Sequence, residues 1–120
     1  FATTQIAYDE AVAGVFASLD TLEERLTAGG PFLTGARFTE ADIRLFVTLV
    51  RFDAAYHGIF KCNLRQLADY PRLDAYLRRV LAVPGVRETV SLDHIKRGYY
   101  SIAALNPNGI VPAGPVFDWA

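Results

Sequence analysis

Phe38-Thr39-Glu40-Ala41-Asp42-Ile43 is the stretch that decides the fold. A threonine at an N-cap position offers its hydroxyl to a free backbone N–H of the first helical turn. An acidic residue three positions on, here Asp42, can bond back to the N-cap N–H. The hexapeptide therefore predicts a capping box with Asp in place of Glu, and places Phe38 and Ile43 at the two positions of a hydrophobic staple. Together these devices contribute about 1–2 kcal/mol to helix initiation. The helix that starts here, about Glu40 to Tyr56, carries Ile43, Leu45, Phe46, Val47, Leu49, Val50 and Phe52 around most of its circumference. That distribution is expected of a helix buried on nearly all sides, the central helix of an all-α bundle. Arg51 and Asp53, at its end, are expected to pair with each other instead of meeting a substrate.

Upstream, Val12, Val15, Phe16, Leu19, Leu22 and Leu26 recur at spacings of three and four, which predicts an amphipathic helix from about Thr4 to Thr27. Gly29-Gly30-Pro31 stops it. Downstream, His57 to Asn63 reads as irregular. Asp69-Tyr70-Pro71 reads as a helix start with Pro71 near the first helical position, followed by an apolar stripe of Leu73, Tyr76, Leu77, Val80 and Leu81. Pro84-Gly85 breaks that helix, and a short helix or turn carries Val86 to Val90. Asp93 is the expected N-cap of a last helix from His94 to about Leu105, ended by Asn106-Pro107-Asn108-Gly109. The segment Ile110 to Pro115 is too rich in Pro and Gly to be helical and is expected to lie extended across a surface.

The 120 residues suffice for one domain. Hydrophobic residues at 52% against 21% charged exclude a disordered chain. A net charge of -1 with interleaved signs leaves no electrostatic footprint for nucleic acid or an anionic membrane. The longest strongly apolar run, Leu45 to Val50, is far too short to span a bilayer. The single cysteine, Cys62, permits no internal disulfide and fits a reduced, cytoplasmic setting. The chain opens on Phe1-Ala2-Thr3-Thr4-Gln5 without an initiator Met or a signal peptide, and reads as a piece of a longer protein.

Thr39-Glu40-Ala41-Asp42, followed by Tyr70-Pro71-x-Leu73 and Pro84-Gly85-Val86, resembles the C-terminal domain of glutathione transferases. Six further motifs sharpen the resemblance. These are Phe1 to Gln5, Arg51-Phe52-Asp53, Phe60-Lys61-Cys62-Asn63, Asp93-His94-Ile95-Lys96, Tyr99-Tyr100, and Asn106-Pro107-x-Gly109-Ile110-Val111-Pro112-x-Gly114-Pro115. In this order they are similar to the glutathionyl-hydroquinone reductases, the Xi-class transferases, over essentially the whole chain. Two departures stand out: many members carry a His where this chain has Gly98, and the stretch from Tyr100 to Asn106 is shorter here.

The resemblance implies that residues 1–120 form a single all-α domain, a transferase-type C-terminal helical bundle with an extended Pro/Gly-rich tail. It implies a thioredoxin-like N-terminal domain upstream, which would carry the catalytic cysteine and most of the glutathione site. It implies a homodimer acting on a quinone-derived aromatic thioether: the cysteine takes the glutathionyl sulfur, a hydroquinone leaves, and a second glutathione resolves the mixed disulfide. The helical half would then be the aromatic-substrate-binding and dimerisation domain. The alternative reading is a non-catalytic helical module of the same fold for protein–protein contact.

Within this chain the candidate catalytic residues are Tyr99, as proton donor or hydroxyl stabiliser, and more weakly Tyr100. A phenol can donate to the oxygen of a departing hydroquinone and offers a ring face to an aromatic substrate. Adjacent helical residues diverge by ~100°, so the two are not expected to face one pocket. Cys62 is expected to be a buried structural thiol. His57 and His94, the only histidines, lack a His-x-x-x-His spacing, so no metal site is expected. His94 is assigned to structure or a subunit contact. Trp119 is left open between a pocket wall and a mere chain-end residue.

Overall fold

Thr4 begins the first helix by accepting a hydrogen bond from the Ala7 N–H at 3.2 Å, and α1 runs from Gln5–Ala28. The computed structural model describes residues 1–27 and 29–120 with their side chains, and residue 28 by its backbone. Val12, Phe16 and Leu19 form the buried face of α1, at the three- and four-residue spacing of one helical stripe.

The predicted box opens α2, Glu40–Arg51, with unequal halves. The Thr39 N–H donates to Asp42 Oδ2 at 2.8 Å. The Asp42 N–H lies 3.0 Å from the Thr39 carbonyl oxygen, and the Thr39 hydroxyl turns toward Asp42 Oδ2 at 3.4 Å. Asp42 is fully buried and does more than close the box: its Oδ1 accepts from the Leu33 N–H at 3.0 Å and from the Tyr76 hydroxyl at 2.7 Å. One carboxylate thus ties the loop before α2, the start of α2 and the following long helix together.

Two expectations for this helix are corrected. The staple does not form, because Ile43 is 50% exposed. Phe38 meets the Phe32 ring edge-on at 5.6 Å instead, brought there by the Phe32–Gly35 bridge. Nor is α2 buried all round. Phe46, Leu49 and Val50 face the core, while Val47 is exposed on the other side with Ile43.

The helix expected to run to Tyr56 does so, but changes its winding on the way; of the stretch 57–63 expected to be irregular, His57–Ile59 is helical and 60–63 is not. The chain passes into a π-helical turn, Phe52–Tyr56, and a short helix α3, His57–Ile59, before Lys61 adopts a φ of 56° and turns the chain. Asp53 ties this segment to a later turn. Its carboxylate accepts from the Leu67 N–H at 2.6 Å and the Ala68 N–H at 3.3 Å, capping the 3₁₀ turn Leu67–Asp69. The expected Arg51–Asp53 ion pair is absent: Arg51 Nη1 donates to the Val47 carbonyl at 2.6 Å.

Pro71 occupies the first turn of α4, Pro71–Leu81, as predicted. Its free N–H groups at Arg72 and Leu73 both donate to Glu23 of α1 at 2.8 Å. A carboxylate at a helix N-terminus satisfies orphan donors and complements the dipole, and here it locks α4 onto α1. Leu73, Tyr76, Leu77, Val80 and Leu81 are all buried.

The last helix, α5, spans Leu92–Tyr100 and is capped by Ser91, whose hydroxyl accepts from the His94 N–H at 3.3 Å. Asp93, expected to be the cap, sits in the first turn and pairs with Arg97 at 2.9 Å. The helix also stops short of Leu105. Asn106 Nδ2 donates to the Tyr100 carbonyl at 2.7 Å and to the Ile110 carbonyl at 3.0 Å. It thereby takes the acceptor that a further helical turn would have used. Residues 110–117 form neither helix nor strand. They return over the bundle, held by Lys96 to the Ala113 carbonyl at 3.3 Å and by Arg78 to Asp118 at 2.7 Å. Trp119 packs into the core beside Phe117 at 4.7 Å, with Arg87 bonded to its carbonyl, and also forms part of a cavity wall. Among the described residues no strand forms, and no helix is long and apolar enough to cross a membrane.

Candidate functional site

The π turn ends on Tyr56, and α5 packs across it. That crossing brings the Tyr56 and Tyr99 hydroxyls within 3.1 Å, with the rings edge-to-face at 5.3 Å. Phe60 completes the cluster, 5.4 Å from the Tyr56 ring and 6.0 Å from that of Tyr99, and Phe52 stands on the other side of Tyr56 at 6.3 Å. The Tyr56–Phe60 pair is tilted, and the other three meet edge-to-face, a geometry that aromatic pairs favour. Tyr99 also lines a surface groove of about 440 Å³ with Arg51, His94, Ile95, Gly98 and Ile102.

The electrostatics follow from the packing. Burial, then the hydrogen bond to Tyr99, push the Tyr56 hydroxyl up to about 12, against a smaller opposing pull from Arg51. Tyr56 therefore stays a neutral phenol across the physiological range. In a pair of phenols facing each other, one proton is spent on the mutual bond and the second remains to be donated outward. The pair is thus a hydrogen-bond or proton donor beside a groove whose rim carries a guanidinium, a setting that favours negative charge building up on a nearby oxygen.

The two tyrosines picked from the sequence separate as their spacing requires. Tyr99 joins the cluster. Tyr100 turns its hydroxyl onto the Gly58 backbone, with burial pushing its pKa up and the Ile59 amide opposing that shift. His94, assigned to structure or a subunit contact, lines the groove beside Tyr99. His57 instead lies near Asp53, where it partly opposes the rise that burial imposes on that carboxyl's pKa. Cys62 is half-buried, with its sulfur 4.0 Å from the Phe60 carbonyl. Burial raises its pKa, the opposite of what a nucleophilic thiolate needs. Among the described residues no three His, Cys, Asp or Glu side chains converge to hold a metal.

Sequence reasoning missed Tyr56. The signal was present, since Phe52, Tyr56 and Phe60 recur every four residues, a helical stripe; taking 57–63 as irregular concealed it. A second cavity of about 360 Å³ lies between α2, α4 and residues 115–119. Its charged groups are already engaged: Arg78 with Asp74 at 3.0 Å and with Asp118, and Asp53 with backbone N–H groups.

Comparison with known proteins gives one consistent result. The profile of the family "Glutathione S-transferase, C-terminal domain" matches residues 5–79. The glutathionyl-hydroquinone reductase PcpF of Sphingobium chlorophenolicum is 57% identical over 116 residues, covering 96% of this chain and 37% of the relative. The glutathionyl-hydroquinone reductase YqjG of Escherichia coli is 51% identical over 119 residues, covering 98% and 36%. The glutathione-bound structure of YqjG superposes with a TM-score of 0.95 at 50% identity, over 99% of this chain and 39% of that one. Glutathione transferase Xi 1 of Trametes versicolor gives 0.92 at 48% identity, over 97% and 40%. The chain therefore spans little more than a third of the length of these relatives.

Proposed function

We propose a function on one premise: the chain belongs to the glutathione S-transferase C-terminal domain family, within the Xi-class glutathionyl-hydroquinone reductases. In the full-length protein this domain forms the wall over an aromatic thioether of glutathione. Its tyrosine pair serves the step in which the hydroquinone leaves. A cysteine thiolate supplied by an upstream thioredoxin-like domain attacks the glutathionyl sulfur. The S–S bond of a mixed disulfide forms as the ring carbon–sulfur bond breaks, and the electron pair passes to the ring and its oxygen. The free phenol proton of the Tyr56–Tyr99 pair meets that oxygen or the ring carbon, and Arg51 favours the charge there. A second glutathione then attacks the mixed disulfide, releasing oxidised glutathione and the cysteine thiolate.

The observation that carries this reading is the 3.1 Å approach of two phenol hydroxyls beside an open groove. A core tyrosine in this same chain is arranged differently: the Tyr76 hydroxyl is committed to a buried carboxylate at 2.7 Å. Turnover of a glutathionyl-hydroquinone with glutathione by the full-length protein tests the proposal, with Tyr99→Phe as the variant. The isolated 120-residue chain is expected to give no turnover, because its one cysteine is an unactivated thiol. Reductase activity in the isolated chain overturns the division of labour between the two domains.

A further inference from the structure

We propose that Gly58 is a positioning residue of the tyrosine site: its missing side chain seats the Tyr100 phenol against the His57–Ile59 turn and so fixes α5 where the Tyr99 hydroxyl meets Tyr56. This rests on the reading of Tyr99 given above.

The geometry points to Gly58 because α5 is anchored on the core by Leu92 at its start and by Lys96 to the Ala113 carbonyl midway, while its C-terminal end rests on the π turn and α3. None of the residues of α5 is fully buried, and the ion pair of Asp93 with Arg97 lies within the helix itself. What fixes its C-terminal end is a straddle. Tyr99 bonds to Tyr56 on one side of the π turn and α3, and Tyr100 rests on Gly58 two residues further along. Neighbouring residues project about 100° apart on a helix. Two such attachments on one segment therefore restrain both the rotation and the slide of α5. Gly58 has ordinary helical surroundings, so no backbone strain explains a glycine there. Space does: a Cβ at this position would collide with the Tyr100 hydroxyl oxygen, while the ring carbon behind it, Cζ, would lie at 3.4 Å, an ordinary contact. The constraint is a single atom, the phenolic oxygen.

That makes the proposal testable by rescue. Alanine suits a helix better than glycine, so any loss from Gly58→Ala reports the collision and not the backbone. In the full-length enzyme, assayed with a glutathionyl-hydroquinone, Gly58→Ala is expected to lower kcat about tenfold or more with KM little changed. Tyr100→Phe alone keeps the ring that rests on Gly58, removes only the colliding oxygen, and sets the reference for the double variant. The double variant Gly58→Ala/Tyr100→Phe is expected to return to within about threefold of Tyr100→Phe. In a Tyr99→Phe background Gly58→Ala is expected to have no further effect on kcat, because the residue acts through Tyr99. A merely structural glycine would lower kcat equally in both backgrounds. Wild-type turnover in Gly58→Ala, failure of Tyr100→Phe to rescue it, or an undiminished effect in the Tyr99→Phe background each overturns the proposal. If Gly58→Ala alone does not fold, the double variant decides: full turnover supports the single-atom constraint and lost turnover refutes it. A Tyr99→Phe enzyme with normal turnover instead removes the catalytic reading itself, and so separates the two failures.

Discussion

The two ends of one helical run, twelve residues of α2 and the turn that continues it, solve opposite problems. At the start, Asp42 is fully buried with every acceptor engaged by a neighbour: two backbone N–H groups and the Tyr76 hydroxyl. At the end, Tyr56 and Tyr99 face only each other, half-buried beside a groove. A polar cluster whose bonds are all made holds a fold together. One with a proton left over has something to offer a ligand. Satisfaction of hydrogen bonds, more than burial, distinguishes the structural end from the end proposed to act on substrate.

The largest expected effect breaks the structural end. Asp42→Ala leaves the Tyr76 hydroxyl and the Leu33 and Thr39 N–H groups without their acceptor. An orphaned buried donor costs about 1–3 kcal/mol, so the loss is expected to be at least about 3 kcal/mol by chemical denaturation. The proposed functional end comes next. Tyr99→Phe in the full-length enzyme is expected to reduce kcat/KM by about 10²-fold, the lower end for acid–base assistance and about 2.7 kcal/mol of barrier. Stability should change little, since the ring is kept. Tyr56→Phe removes the other member of the same pair, so its effect and that of Tyr99→Phe should fall well short of additive. Two independent losses that multiply would mean that the phenols do not act as a unit.

A smaller effect sharpens the comparison within the capping box. Sequence reasoning gives Thr39 and Asp42 similar weight, about 1 kcal/mol each. The structure makes them unequal: Asp42 serves three close donors, while the Thr39 side chain makes only long contacts, 3.4 Å to Asp42 Oδ2 and 3.4 Å to the Thr34 hydroxyl. Thr39→Ala is therefore expected to cost about 1 kcal/mol or less, with the Asp42→Ala effect several times larger. Equal losses would restore the symmetrical box.

The same contrast explains what could be read from the sequence. The elements announced by local chemistry appear where expected: Thr39 and Asp42 opening α2, Pro71 opening α4, and the apolar stripes of α1 and α4. What stayed hidden depends on partners distant in sequence. Glu23 reads as a solvent-facing charge until α4 arrives 49 residues later with two free N–H groups. Asp53 reads as a partner for Arg51 until the Leu67 turn supplies better donors. Ile43 and Val47 are apolar without being buried in this domain, which periodicity cannot foretell. Tyr99 was found through a family motif and Tyr56 was not found at all, because their meeting across 43 residues is a fact of tertiary packing.

The finest distinction between the two ends is one of sign, and pH reads it. Burial raises the Asp42 pKa, but the N–H groups of Leu33 and Thr39 and the Tyr76 hydroxyl outweigh it and hold the carboxyl below its ordinary 3.8. For Asp53 burial wins over the Leu67 and Ala68 N–H groups and nearby His57, with Asp69 adding to the rise, and the carboxyl sits above 3.8. Linkage then gives opposite slopes. The unfolded state binds a proton at Asp42 more tightly than the folded state does. The stabilisation from Asp42 is therefore present above 3.8 and lost as pH falls through the lower folded value. At Asp53 the folded state holds the proton more tightly. Its contribution is full below 3.8 and declines as pH rises through the higher folded value. Stability measured by urea denaturation at a series of pH values should thus show an acid-side loss that Asp42→Asn removes. It should also show a decline above 3.8 that Asp53→Asn flattens, leaving the acid side untouched. If Asp53→Asn instead deepens the loss at acid pH, Asp53 is a stabilising carboxylate like Asp42, and the two ends of the helix do not differ in kind.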